Sequence, residues 1–177
     1  MKKNVFIMLG LLIAIFSCNS KEETKTEPMA ANTESSIQLP YVASYTTDFT
    51  KDVPDSDLLV TLNSYKAWEN NDMNALRTTM GDSMTVNGAN GFKFAGLTDS
   101  LMKQWSLSRD SLSSAKIDMQ VWLKNHSVKD GINYINVWYK ETDTYKDGKV
   151  DSAYYEDDNG MKDGKIVWFS QHKQVIK

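Results

Sequence analysis

The chain has 177 residues, a formal net charge of −3 and a single cysteine. This length suits one domain with appendages, and one cysteine excludes a disulfide within the chain. Residues 1–17 carry two lysines and no acid, so the remainder would carry 18 basic and 23 acidic side chains, a net charge of −5. We expect no nucleic-acid partner, because no basic patch is left to neutralise phosphates.

The N-terminus contains a short apolar run. Lys2 and Lys3 precede Val5 to Phe16, which is too short to span a bilayer and is typical of a signal-peptide core. The run ends at Ile15-Phe16-Ser17-Cys18, which resembles a bacterial lipoprotein signal, in which the cysteine is lipidated and becomes the mature N-terminus. The alternative is an ordinary signal peptide followed by a free cysteine. We predict a signal peptide over residues 1–17 and a lipid anchor to the membrane at Cys18.

A polar segment follows the cysteine. Asn19 resembles the residue of signals that permit sorting to the outer membrane, and Ser20 to Glu23 resembles the export tag of Bacteroidetes surface lipoproteins. An ordinary charged tether is the alternative for Ser20 to Glu23. The segment has almost no large apolar residue, so we expect residues 18–40 to be a flexible tether and residues 41–177 to be the folded domain. The predicted location is the outer membrane of the cell envelope, on its periplasmic or its outer surface.

The first half of the domain predicts three helices and a hairpin. Tyr41 to Tyr45 alternates weakly, as an edge strand or a strap across the domain would. Apolar residues at helical spacing predict a helix over residues 57–70 and a shorter one from Met73 to Met80. Residues 83–87 and 91–95 predict a small hairpin, and Thr98 is placed to cap a third helix.

The tripeptide Lys-Asp-Gly occurs three times in the last third of the chain. Asp-Gly between strand-like runs is a strong hairpin signal, because a two-residue type I′ turn requires positive φ at both positions. The sequence therefore predicts a four-stranded antiparallel meander. The tripeptides begin at Lys129, Lys146 and Lys162, and the runs are Lys116–Lys124, Ile132–Tyr145, Val150–Asp157 and Ile166–Val175.

Counting outward from two-residue turns gives the register of this sheet. One face is predicted to carry the row Trp122, Tyr139, Glu156 and Gln171. The opposite face is predicted to carry Leu123, Trp138, Asp157 and Ser170. Both faces are aromatic, and three helices can cover only one, so the other face is expected to meet a second subunit or to remain a partly apolar patch.

The order of helix, short helix, hairpin, helix and meander resembles the nuclear transport factor two-like (SnoaL-like) fold. Local support comes from Trp68 to Asp72, Met84 to Val86, Phe94 to Gly96 and Gly164 to Ile166. The resemblance implies an α+β domain in which a cone-shaped, curved antiparallel sheet, a four-strand meander plus a short hairpin, packs on three N-terminal helices and encloses a pocket. Such folds carry many unrelated activities, so the fold alone does not give the function.

Ketosteroid isomerases, a catalytic branch with this fold, resemble the chain only in part. Their general-base aspartate corresponds to Gly88 and their oxyanion-hole tyrosine to Ser64. Their neutral pocket aspartate falls near Tyr154 or Glu156. Two of three catalytic groups are therefore missing, and the resemblance does not imply that reaction here.

Glu156 beside Tyr139 is the strongest candidate site. A carboxylate in an apolar pocket has a raised pKa and can act as a general acid or base, although a hydrogen-bonded carboxylate on a wet pocket rim is the favoured reading. His126 and His172 are too far apart to indicate a metal site, and no cofactor motif occurs. The predicted ligand pocket comprises Trp105, Trp122, Tyr139, Tyr154, Glu156 and Gln171.

Three functions remain open, and the sequence favours a protein that is not an enzyme. The first is non-catalytic binding of a small apolar or amphipathic ligand, or of a protein partner. The second is a cyclase, isomerase or hydrolase that uses Glu156 and Tyr139. The third is a structural or surface-assembly lipoprotein that forms a homodimer through the sheet.

Overall fold

The computed structural model describes residues 40–176. The predicted signal peptide, the lipidation site at Cys18 and almost all of the predicted tether lie outside the described residues. Between residues 40 and 176 no helix is long and apolar enough to cross a membrane.

Three helices precede the long strands, in the predicted order. The first helix begins directly after Pro54, whose φ of −57° suits a helix start. The left-handed Asn71 (φ 57°) separates the first two helices, and Asp72 caps the second by accepting a hydrogen bond from the Ala75 amide at 2.8 Å. The helices are α1 (Asp55–Glu69), α2 (Met73–Thr78) and α3 (Thr98–Asp110).

Within residues 40–176, seven strands form one sheet in the order β1-β4-β5-β6-β7-β2-β3. The α+β class is confirmed, but the wholly antiparallel sheet is wrong, because β2 and β7 pair in parallel. Turn signals specify only strands joined by tight turns, and the whole meander separates β2 from β7. The strands are β1 (Phe49–Thr50), β2 (Met80–Asn87), β3 (Lys93–Leu97), β4 (Leu112–Ser127), β5 (Asn133–Tyr145), β6 (Val150–Lys162) and β7 (Lys165–Val175).

The edge strand lies further along the chain than predicted. Tyr41 to Tyr45 forms no strand, whereas Phe49–Thr50 pairs with β4. Tyr45 instead reaches the loop between β4 and β5, where its hydroxyl lies 3.2 Å from Ser127 Oγ and also contacts the Asp130 carboxylate.

The three Lys-Asp-Gly turns have three different lengths. Asp163 (φ 51°) and Gly164 (φ 70°) form the predicted two-residue turn, and Lys162 pairs with Lys165 as expected. Between β5 and β6 the turn has three residues, since Tyr145 donates from its amide to the Lys149 carbonyl at 2.8 Å. Between β4 and β5 it has four residues, 128–131, since the Ser127 amide donates to the Ile132 carbonyl.

These lengths correct the predicted register. Asp157, not Glu156, shares a row with Val137 and Gln171, and Glu156 pairs with Trp138 on the other face. Irregularities between Met119 and Val121 and between Gly160 and Met161 add further shifts. A shift of one residue turns every side chain of a strand to the opposite face, so the predicted row is wrong.

The helices cover one face of the sheet, called the inner face here. Leu101 of α3 and the β5 residues Ile135 and Val137 are completely buried there. The other, outer face leaves Val121, Leu123 and Tyr154 between 40% and 50% exposed. Two neighbouring acids of β6 therefore meet different environments, because Asp157 points inward and Glu156 outward.

Candidate functional site

A cavity of about 650 Å³ lies between the helices and the inner face of the sheet. This volume falls in the range of pockets that enclose small molecules. Its walls are mainly apolar and aromatic, and Trp105 and Phe169 meet edge to face with ring centroids 6.1 Å apart. The main apolar wall residues are Leu76, Met84, Val86, Phe92, Trp105, Ile117, Ile166 and Phe169.

Asp157 is the polar centre of the cavity floor and is completely buried. Its Oδ2 accepts hydrogen bonds from the hydroxyls of Tyr65, at 2.8 Å, and Tyr139, at 2.9 Å. Its Oδ1 is buried and accepts no hydrogen bond from the protein. One carboxyl oxygen is therefore fixed by two tyrosines, and the other is left without a donor.

Two amides orient these tyrosines. Asn159 Nδ2 donates to the Tyr65 hydroxyl at 3.1 Å and to the Ile135 carbonyl at 3.1 Å. Gln171 Nε2 donates to the Tyr139 hydroxyl at 3.2 Å. Each hydroxyl accepts from an amide, so its own proton is directed to Asp157. The floor is a connected network built from α1, β5, β6 and β7.

Burial raises the pKa of Asp157 to about 7, because a charged carboxylate loses its hydration on the cavity floor. The hydrogen bonds from Tyr65 and Tyr139, with the nearby Gln171 amide, oppose this rise. The same burial raises the pKa of both tyrosines well above its usual value. At neutral pH the tyrosines keep their protons, while Asp157 is poised between its two protonation states.

Two further acidic residues, Glu141 and Asp143 of strand β5, lie on the cavity wall. Glu141 accepts a hydrogen bond from the Trp68 indole at 2.8 Å, and Asp143 Oδ1 is buried with no protein donor. Burial, reinforced by Asp143, raises the pKa of Glu141, and burial likewise raises that of Asp143. The cavity thus contains three carboxyl groups that burial pushes toward the protonated form.

Arg109 of α3 binds the end of helix α1 next to this wall. It is 3% exposed, and its guanidinium donates to the Trp68 carbonyl at 2.8 Å and to the Glu69 carbonyl at 3.1 Å. These carbonyls end helix α1, where a cation offsets the unpaired acceptors and the helix dipole. Its charge also lowers the pKa of Asp143, although burial outweighs this effect. Arg109 therefore locks the C-terminus of α1 and the Trp68 indole beside Glu141.

Lys173 is the cation among the residues that line the cavity. Its Nζ lies 3.5 Å from an oxygen of Asp151 and 5.5 Å from the centroid of the Tyr155 ring. The Tyr155 ring stacks on Tyr139, with centroids 5.4 Å apart. The charge of Lys173 is therefore shared with Asp151 and an aromatic face.

The structure brings together only half of the predicted pocket. Trp105, Tyr139 and Gln171 line the cavity. Glu156 and Tyr154 lie on the exposed outer side of β6, and Trp122 is 47% exposed beyond the cavity wall. Asp157 takes the place predicted for Glu156, because the three-residue turn moves β6 by one position.

Sequence reasoning missed Tyr65, Asp157, Glu141 and Asp143. A signal for the last two was present, since residues of one strand alternate between faces and Tyr139, Glu141 and Asp143 are spaced by two. Placing Tyr139 in the pocket should have placed both acids there. Within residues 40–176 no group of three metal-ligating side chains occurs.

Comparisons with known proteins support the fold and not a particular activity. No protein-family model matches the chain, and no curated protein matches it. Solved structures do match. An epoxide hydrolase from Mycobacterium tuberculosis is 8% identical with a TM-score of 0.57, covering 68% of this chain and 84% of its own.

Two further structures extend the comparison. A ketosteroid isomerase-like protein from Erwinia carotovora atroseptica is 13% identical with a TM-score of 0.56, covering 69% of this chain and 96% of its own. An NTF2-like protein of unknown function from Exiguobacterium is 16% identical with a TM-score of 0.53, covering 65% and 98%. The nuclear transport factor 2-like fold is therefore confirmed. At these identities the fold is all that the comparison establishes.

Proposed function

We propose that this protein is a lipid-anchored protein of the bacterial cell envelope whose cone-shaped domain binds a small amphipathic ligand. The supporting observation is the cavity of about 650 Å³, with apolar walls and the buried Asp157 carboxyl at its floor. Pockets of this kind hold the apolar body of a ligand on their walls and fix its orientation through few polar groups. The unpaired Oδ1 of Asp157 is such a group.

Filling the cavity tests this proposal. In the full-length protein, Ile117→Trp places an indole into the cavity from strand β4, whereas Val121→Trp places one on the outer face of the same strand. We expect Ile117→Trp to weaken binding of the uncharged dye Nile red at least about tenfold, since each 1.4 kcal/mol of lost contact changes affinity tenfold. Val121→Trp should leave the affinity unchanged. Equal effects of the two variants would contradict a ligand site in the cavity.

The membrane anchor rests on the sequence at Cys18. The Cys18→Ala variant should move from the detergent phase to the aqueous phase on phase separation, because the acyl chains that anchor the protein are lost. Partition of this variant into the detergent phase would contradict lipidation at Cys18.

Acid–base catalysis is the second candidate function. A carboxyl whose pKa is about 7, held by two tyrosine hydroxyls at the floor of an apolar cavity, suits a general acid or base. Asp157 with Tyr139 then replaces the pair Glu156 and Tyr139 that the sequence indicated. Epoxide opening and ketosteroid isomerisation are the first reactions to assay, since structures with this fold bear those names.

Two neighbouring variants separate catalysis from binding. If the protein is an enzyme, Asp157→Asn should lower turnover by roughly 10²–10⁴-fold, the usual contribution of a general acid or base. Glu156→Gln should leave turnover unchanged because Glu156 lies on the outer face. A wild-type protein that binds Nile red and turns over neither substrate class supports the binding function.

The outer face supports a further partner, a second copy of the chain. Val121, Leu123 and Tyr154 are partly exposed apolar side chains on that face. Sedimentation velocity of the full-length protein in detergent should detect a dimer that Leu123→Asp abolishes. A monomer at high concentration would contradict this partner.

A further inference from the structure

The buried polar groups that line the cavity specify the chemistry of a ligand. Buried side-chain oxygens and nitrogens without a hydrogen-bond partner, within residues 40–176, are Oδ1 of Asp157 and Oδ1 of Asp143. Both are carboxyl oxygens, and both residues line the cavity. An unpaired buried polar group costs free energy until a ligand supplies its partner. An ionised carboxylate oxygen can only accept, so the ligand group that complements the ionised form is a hydrogen-bond donor.

The charges around these oxygens favour a donor that is also a cation. Asp157, Glu141 and Asp143 line the cavity together with one lysine, Lys173, whose charge is directed to Asp151 and the Tyr155 ring. Arg109 faces the wall from behind, but its guanidinium is occupied by the carbonyls that end α1. An anionic ligand would meet three carboxyl groups, whereas a cation would offset their charge.

The walls favour the same ligand class. Trp105, Phe92 and Phe169 present aromatic surface to the cavity. Aromatic faces attract ammonium groups through the ring quadrupole and also accommodate apolar chains. A hydrogen bond between an ammonium and a carboxylate is about twice as strong as one between neutral groups.

Building on the proposed binding function, we propose that the cavity takes a primary or secondary amine with an apolar body. The ammonium group meets Oδ1 of Asp157 at the floor while the body lies along the apolar walls. Oδ2 of Asp157 remains bonded to Tyr65 and Tyr139, so the two tyrosines hold the carboxylate in place for the ligand.

Binding of such an amine is coupled to proton release. The pKa of Asp157 is about 7 and that of Glu141 is raised, so both are partly protonated at neutral pH. A bound ammonium favours their ionised forms, so amine affinity should rise from pH 6 to pH 8.5 while protons leave the protein. The titratable and charged groups that act on these two carboxyls, or on Asp143 beside them, are Tyr65 on α1, Arg109 on α3, Tyr139 on β5, Asp151 and Tyr155 on β6, Lys173 on β7 and, through its charge from the outer face, Asp158 on β6.

Three compounds of one shape test the ligand class by calorimetry on the full-length protein. They are 4-phenylbutylamine, 4-phenylbutanol and 5-phenylpentanoate, which carry a cationic, a neutral and an anionic head on the same chain. We expect the amine to bind at least about tenfold more tightly than the alcohol, and the anion to bind most weakly. Amine binding should release protons, measured as a heat that depends on the ionisation enthalpy of the buffer.

Variants test which carboxyl group causes the preference for the amine over the alcohol. Asp157→Asn should abolish the preference for the amine over the alcohol, and Asp143→Asn should reduce it by a few fold. Glu156→Gln is the matched control and should keep the full preference, because its carboxyl lies on the outer face. Circular dichroism establishes that each variant is folded, and if Asp157→Asn is unfolded, Asp143→Asn and the proton release carry the test.

Each outcome distinguishes the ligand class from the binding function. If the alcohol or the anion binds as tightly as the amine, the amine proposal is wrong while ligand binding in the cavity stands. If Nile red binds but none of the three compounds displaces it, the amine proposal is also wrong. If Nile red itself does not bind to the wild-type protein, both proposals fail.

Discussion

Asp157 and Glu156 are consecutive acidic residues of strand β6, and they meet opposite environments. Asp157 is completely buried, is bonded to two tyrosines and has a pKa of about 7. Glu156 points away from the helices on the exposed side of the strand. The same functional group is thus a candidate ligand anchor at one position and a surface charge at the next.

The difference originates in the turn between β5 and β6, whose last residue, Gly148, lies eight residues before Glu156 and nine before Asp157. The loop between β5 and β6 has three residues and closes with Gly148 at φ 87°. A two-residue loop would have turned Glu156 inward and Asp157 outward. Loop length therefore decides which carboxyl reaches the cavity.

The largest expected effect is a difference in the free energy of unfolding between substitutions of apolar residues on the two faces. Ile135→Ala removes a completely buried side chain from the inner face and should lower the free energy of unfolding by about 3 kcal/mol, through lost burial and the cavity left behind. Leu123→Ala, at a half-exposed outer position, should cost less than about 1 kcal/mol. Urea denaturation measures both. Similar costs would show that the outer face is as well packed as the inner face.

The next effect concerns the charge of Asp157. Its folded-state pKa of about 7 lies above the unfolded value of about 3.9, so its contribution to stability is full below about pH 4 and is lost as the pH rises through about 7. From pH 5.5 to pH 8.5 the wild-type protein should lose about 2 kcal/mol that Asp157→Asn does not lose. This corresponds to a drop in Tm of roughly 4–8 °C.

Thermal denaturation of the wild type, Asp157→Asn and Glu156→Gln at the two pH values measures this difference. Glu156→Gln should retain the wild-type dependence on pH. If the Tm of the wild type and that of Asp157→Asn change equally between pH 5.5 and pH 8.5, the raised pKa of Asp157 is wrong.

The smallest expected effect concerns the turn between β5 and β6, whose length decides which of the two acids faces the cavity. Gly148 has φ 87°, a conformation that costs a residue with a side chain about 1–2 kcal/mol, so Gly148→Ala should lower stability by about 1 kcal/mol. Gly96→Ala is the control, because Gly96 has no left-handed φ and an added Cβ would only touch the Phe94 ring at 3.4 Å. Urea denaturation measures both variants. A neutral Gly148→Ala would show that the loop tolerates another conformation.

Much of the architecture was predictable from local chemistry. Helical spacing of apolar residues indicated α1 and α2, and Asp163-Gly164 formed the expected two-residue turn. Tyr139 and Gln171 were placed at the cavity although the row that joined them was wrong. Asp157 was placed on the wrong face because the same Lys-Asp-Gly tripeptide closes loops of two, three and four residues.

By itself, the sequence determined the class of the fold and the order of most of its elements, since helix periodicity, strand composition and glycine turns act over a few residues. The tertiary structure decided that β2 lies parallel to β7, that Arg109 ties α3 to the end of α1, and that Asp157 rather than Glu156 faces the cavity. These features depend on contacts between residues far apart in the chain. The free energy of burying one complete face selects them, and no local pattern contains that information.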